Sequence, residues 1–157
     1  MSLNALYEAS GNVWPAHHRY AADTLWSDSG LGALLSTLSD AMERAPSDKS
    51  LILAPVSPVS HHEELLRDMA FSVLGSSYVV PYAIWDDPAE DDINAGWLQE
   101  TMSAVEPLGT GHYIGEADLT ARPTRAERSY TPRDWRRLQE LRDRCDPEGI
   151  FHSYLTS

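Results

Sequence analysis

Cysteine, cationic side chains and long apolar runs are all scarce in this sequence. A single cysteine, Cys145, excludes an internal disulfide framework and any cysteine-based zinc cluster. Lys and Arg number 12 against 24 Asp and Glu, leaving a formal net charge of −12. A field of that sign repels phosphate backbones and anionic lipid, so neither nucleic acid nor a membrane surface is an expected partner. No apolar stretch approaches the roughly 20 residues that span a bilayer. The first fifteen residues have neither the basic start nor the apolar centre of a secretory signal. They mix Ser, Asn, Gly and Pro15 and read as an N-terminal arm or linker remnant. A cytoplasmic setting is the resulting default. No G-x-G-x-x-G or P-loop pattern is present, so the chain shows no motif for cradling a nucleotide.

What is present suffices for one folded domain: 157 residues, 42% of them hydrophobic. His18 to Trp26 reads as extended, with Tyr20, Ala22, Thr24 and Trp26 on one face and Asp23 and Leu25 on the other. Leu31, Leu34, Leu35, Leu38 and Met42 recur at helical spacing, with Asp28 or Ser29 as the cap and Pro46 as the stop. Leu51 to Leu53 is a short buried strand. His61 to Met69 has the pattern of a helical turn. Tyr78 to Trp85 is strand-like, and Pro81 argues for an edge position or a bulge because it cannot donate to a ladder. Asp87-Pro88 opens a helix whose stripe is Ile93, Trp97, Leu98, Met102 and Val105. Gly111 to Asp118 reads as a further strand, and Ala121 to Ser129 as a polar loop. Thr131-Pro132 opens a last helix with Trp135, Leu138, Leu141 and Cys145 inward, Cys145 being a core thiol. The order β-α-β-β-α-β-α matches an α+β ferredoxin-like sandwich, an antiparallel sheet with helices on one face. Its other face, rich in Tyr and Trp, then needs a cover.

Groups with chemical potential are few. The pairs His17-His18 and His61-His62 point to opposite faces on a strand and suit metal chelation poorly, so no metal site is expected. The run from Asp86 to Asp92 is a capped helix start without the ligand spacing of a calcium loop. Glu116, near Tyr113, is a carboxylate that can serve as acid or base.

The last stretch, with Trp135-x-x-Leu138, Arg142, Asp146-Pro147 and Phe151, resembles the end of the berberine-bridge-enzyme-like FAD-linked oxidoreductases, within the vanillyl-alcohol-oxidase-type flavoproteins. Other segments agree in order: His18-Arg19-Tyr20, Ala70-Phe71, Trp85-Asp86-Asp87-Pro88 with Trp97, and Tyr113-x-Gly115-Glu116-x-Asp118. The resemblance covers roughly residues 16 to 155 and implies a substrate domain over 16–157. It implies that FAD is held mainly by a separate domain or subunit outside this chain. Polar family positions differ here. Glu116 stands where members carry a tyrosine, Gly115 where they carry an asparagine, and Tyr78 where Glu or Gln often faces substrate. The resemblance therefore implies Glu116 as the catalytic base, with Tyr78, Tyr82 and Tyr113 contacting a small organic substrate that is oxidised by hydride transfer. The alternative is a non-catalytic α+β module that forms a homodimer, or binds a protein partner, through its open sheet face.

Overall fold

A computed structural model describes residues 2–56, 69 and 72–153 of the chain. The elements are α1 (Leu3–Val13), β1 (Arg19–Ala22), β2 (Leu25–Ser27), α2 (Leu31–Met42), β3 (Leu51–Leu53), β4 (Ser77–Trp85), α3 (Asp91–Val105), α4 (Arg125–Arg128) and α5 (Pro132–Cys145). The His61-His62 pair, the helical turn expected there and the Ala70-Phe71 step lie outside the described residues.

β4 is the central strand. β1 and β2 run antiparallel along one of its edges and β3 along the other. Beyond β2, a single bridge between Trp26 and Gly111 adds the remnant of a further strand. The sheet is antiparallel throughout, in the arrangement anticipated for an α+β sandwich.

Odd-numbered residues of β4 face the helices. Val79, Ala83 and Trp85 pack with Leu34 and Leu38 of α2 and with Trp97, Leu98, Met102 and Val105 of α3. Each such fully buried aliphatic side chain contributes about 1.5–3 kcal/mol. The two indoles of this layer satisfy their N–H groups locally. Trp97 Nε1 donates to the Ala41 carbonyl at 2.8 Å, and Trp85 Nε1 to Asp91 Oδ1 at 2.8 Å. Arg19 grips the same Asp91 through both carboxylate oxygens, at 2.5 and 2.7 Å, and so ties β1 to the start of α3.

The start of α3 follows the sequence reading. Asp87 caps the turn at Pro88 by accepting from Ala89 N–H at 2.9 Å. Thr131 likewise caps α5, accepting from Asp134 N–H at 3.3 Å. The start of α2 does not. Gly30 is its cap residue and no side chain closes it, because Asp28 is turned to Ser76 N–H and Ser29 to the Leu108 carbonyl.

Four further expectations are corrected. Leu3–Val13 is helical, capped by Ser2 accepting from Ala5 N–H at 3.2 Å. Cys145 is exposed, since none of α5 is fully buried and its Trp135, Leu138 and Leu141 are only half-covered. Residues 113–118 form turns and not a strand, closed by Glu116 N–H and Ala117 N–H on the Tyr113 carbonyl at 3.1 and 3.0 Å.

The fourth concerns Pro81, which lies mid-way along the central strand, opposite Ile52 on the β3 side. On its other side the register is continuous across the break between β1 and β2. Ala22 faces Tyr82 and Leu25 faces Val79, so Asp23 falls opposite Pro81 with no residue inserted. Amides alternate in direction along a strand. Tyr78 N–H is given to Pro55, on the β3 side. The amide missing at Pro81 therefore faces Asp23. One ladder bond remains there, Asp23 N–H to the Pro81 carbonyl at a long 3.4 Å. The proline does not mark an edge; it interrupts the neighbouring strand.

Candidate functional site

The even-numbered face of β4 carries Tyr78 and Tyr82, four residues apart and hence on the same side of the sheet. Both phenols converge on one carboxylate. Tyr78 Oη donates to Glu116 Oε2 at 2.5 Å, and Tyr82 Oη donates to Glu116 Oε1 at 2.8 Å. Tyr113 joins them edge-on, its ring centroid 6.3 Å from that of Tyr78. The four side chains singled out in the sequence thus form one cluster on the sheet face away from α2 and α3.

Two tryptophans complete its walls. Trp26 lies against Tyr78 and Trp14 stands edge-on to Tyr82, both at 4.5 Å between centroids. Trp14 follows α1, in the segment whose composition suggested only an arm. Gly115 makes room for the Tyr113 ring, because a Cβ there would come within 2.8 Å of Tyr113 Cζ. The turn can therefore fold its own tyrosine back over itself.

Burial, and then the neighbouring Glu116 carboxylate, push the Tyr82 phenol up to about 12 and the Tyr78 phenol higher still. Both effects favour the neutral phenol, so both hydroxyls remain hydrogen donors to Glu116 over the working pH range. A phenol raised in the folded state contributes stability that is whole below about pH 10 and is lost as pH rises towards 12. Replacing Glu116 by Gln removes the charge. The Tyr82 titration is then expected to move down towards 10, seen as earlier tyrosinate absorbance in a near-ultraviolet pH titration. An unchanged curve would show that Glu116 does not face the phenol in solution.

The turn bearing Glu116 is fixed from below by groups the sequence reading did not single out. Tyr113 N–H donates to Thr24 Oγ1 at 3.0 Å, and Asp118 N–H donates to Asp23 Oδ1 at 3.2 Å. The other Asp23 oxygen pairs with Arg125 Nη2 at 2.8 Å. Arg125, 2% exposed, also approaches Glu106 at 3.5 Å and His112 at 2.8 Å. His112 is fully buried against the Thr24 carbonyl at 2.5 Å and lies 3.3 Å from Glu106. Burial raises the Asp23 carboxyl against the pull of Arg125, and lowers both His112 and Arg125. A pair with both partners in place is tolerable in such a setting, whereas either partner alone is not. The one available sequence signal was an Asp inside a strand, where it is disfavoured. Nothing in Arg122-Pro123-Thr124-Arg125 marks which arginine is buried.

Comparison with known proteins bears on the fold and its kinship. No protein-family model matches the chain. Its curated relatives include the FAD-linked oxidoreductase nodO of Hypoxylon pulicicidum, 28% identical over 119 residues. The FAD-linked oxidoreductase ptmO of Penicillium ochrochloron is 28% identical over 125 residues. These alignments take in 75% and 78% of this chain. The chain is a homologue of FAD-linked oxidoreductases. It spans about a quarter of the length of those relatives, 26% and 27%. Two solved flavoenzyme structures share its fold. GilR, an oxidoreductase that catalyses the terminal step of gilvocarcin biosynthesis, superposes with a TM-score of 0.65 at 18% identity, over 87% of this chain and 32% of GilR. CrmK, a flavoenzyme of caerulomycin biosynthesis, gives 0.64 at 17%, over 87% of this chain and 32% of CrmK. The likeness to an FAD-linked oxidoreductase domain read from the motifs is therefore sound, and the α+β sandwich is the fold that carries it.

Proposed function

We propose that this chain is the substrate-binding domain of an FAD-dependent oxidoreductase, with Glu116 as the base. The observation that carries the reading is the convergence of Tyr78 and Tyr82 on Glu116, inside a ring of aromatic side chains on the face away from the helices. A carboxylate offers about four acceptor positions, so two phenols leave capacity for a proton from substrate. The two donors keep its oxygens aimed, and Tyr113, Trp14 and Trp26 supply apolar walls that orient a small organic molecule.

These residues fit the substrate side of a flavin site: a proton acceptor among ring faces, on an anionic chain without a glycine-rich phosphate cradle. We therefore assign the grip on the dinucleotide to a separate domain or subunit. When bound there, FAD supplies the hydride acceptor. Glu116 takes the proton that leaves the substrate as the hydride departs.

After incubation with FAD alone and desalting, the chain is expected to elute without flavin absorbance. Flavin is expected to co-elute with it only when a flavin-binding domain is supplied. Stoichiometric FAD on the isolated chain would overturn this division of labour.

A further inference from the structure

Past His112 the backbone leaves the path of the sheet. Its last main-chain ties are Trp26 N–H to Gly111 O and Thr110 N–H to Trp26 O, each 2.7 Å, and His112 N–H to Arg128 O at 3.2 Å. The turn over 113–118 is then closed on itself through the Tyr113 carbonyl. What sets its position is a pair of side chains at the break between β1 and β2. Thr24 Oγ1 accepts from Tyr113 N–H at one end of the turn, and Asp23 Oδ1 accepts from Asp118 N–H at the other.

We propose that Asp23 and Thr24 are positioning residues for the Glu116 carboxylate, an inference that rests on the base reading above. They hold both ends of a six-residue turn whose tip must meet two phenols fixed on β4. Neither is free to wander. Thr24 is fully buried, and Asp23 is 4% exposed and held through its second oxygen by Arg125. Thr24 also donates to the Tyr113 carbonyl at 3.4 Å, so one hydroxyl holds both polar groups of the residue on which the turn closes. A loop tied by two buried acceptors loses little entropy when it presents its carboxylate, which is the requirement for a base that acts at a fixed point. Neither residue is hydrogen-bonded to Glu116 itself; Thr24 also meets the Tyr78 hydroxyl directly, whereas Tyr82 is reached only through the turn.

The test is nuclear magnetic resonance on the 157-residue chain, with Thr24→Val, Thr24→Ser and Asp23→Asn variants. Valine keeps the branched shape and removes the acceptor, whereas serine keeps the acceptor. In Thr24→Val the hydrogen-bonded hydroxyl proton of Tyr82, which meets Glu116 and not Thr24, is expected to vanish into exchange with water. The Tyr113 and Asp118 amides are expected to exchange at least tenfold faster, while amides of α2 and α3 keep their protection. Thr24→Ser is expected to restore both signatures. A retained Tyr82 hydroxyl signal in Thr24→Val would overturn the proposal, as would faster exchange spread evenly over the whole chain. Asp23→Asn gives the same reading at the other end of the turn, and if it does not fold, the Thr24 pair decides alone. None of these readouts depends on turnover. If Glu116→Gln leaves flavin reduction intact, the base reading fails while the positioning result stands.

Discussion

Glu116→Gln is expected to slow flavin reduction by about 10²–10⁴-fold in the assembled flavoprotein, the usual contribution of a positioned general base. The amide keeps the shape of the carboxyl and can accept from one phenol, so the fold should persist with a modest fall in melting temperature. Stopped-flow reduction under anaerobic conditions isolates the step, using any substrate that reduces the wild-type flavin. Tyr78→Phe and Tyr82→Phe each remove one donor to a charged group, worth about 1.5–3 kcal/mol, and should cost about tenfold or more. A Glu116→Gln protein that reduces its flavin at the wild-type rate would remove Glu116 from the chemistry.

The largest effect on stability is expected at Arg125. Replacing it by Leu leaves Asp23 and Glu106 without their buried cation, and breaking such a pair costs about 3–5 kcal/mol. Urea unfolding measures this directly. The sign of the pH dependence follows from Asp23, whose carboxyl is already raised by burial and restrained by Arg125. Without Arg125 it rises further. The variant's deficit should then be greatest at neutral and alkaline pH, where Asp23 must ionise, and shrink as acid supplies its proton. Asp23→Asn combined with Arg125→Leu should lose less than the sum of the two single changes, since the partners act as one unit. A loss under 1 kcal/mol at neutral pH would mean that the pair is solvated.

Much of the fold was legible because it depends on local periodicity. The stripes Leu34, Leu38 and Trp97, Leu98, Met102 recur at helical spacing, and Asp87-Pro88 and Thr131-Pro132 are helix starts that need no tertiary help. Tyr78, Tyr82, Tyr113 and Glu116 were each named from the sequence, but not the hydrogen bonds that join both phenols to the carboxylate. Two tyrosines four apart on a strand share a face, and the motif around Glu116 had a family counterpart. The misreadings have a different origin. Pro81 suggests an edge only if its strand is considered in isolation; the sheet instead places the cost on the neighbour, at Asp23. The segment 113–118 alternates well enough to pass as a strand, but its amides are taken by side chains and by its own carbonyls. Cys145 sits at helical spacing on a helix whose inner stripe is only half-covered. Arg125 joins partners 13 to 102 residues away, distances at which a single sequence carries no pattern.

Pro81 gives the sheet an uneven grain. Every other residue of β4 can offer a hydrogen to the strands beside it, and this one cannot, so the adjacent chain is released for two residues in the interior of a sheet. Those two residues are the ones that spend their side chains on a distant loop. One hydrogen that the central strand never had thus becomes a foothold on the next strand. The interrupted ladder and both acceptors that hold the turn therefore fall on the same two residues of the chain.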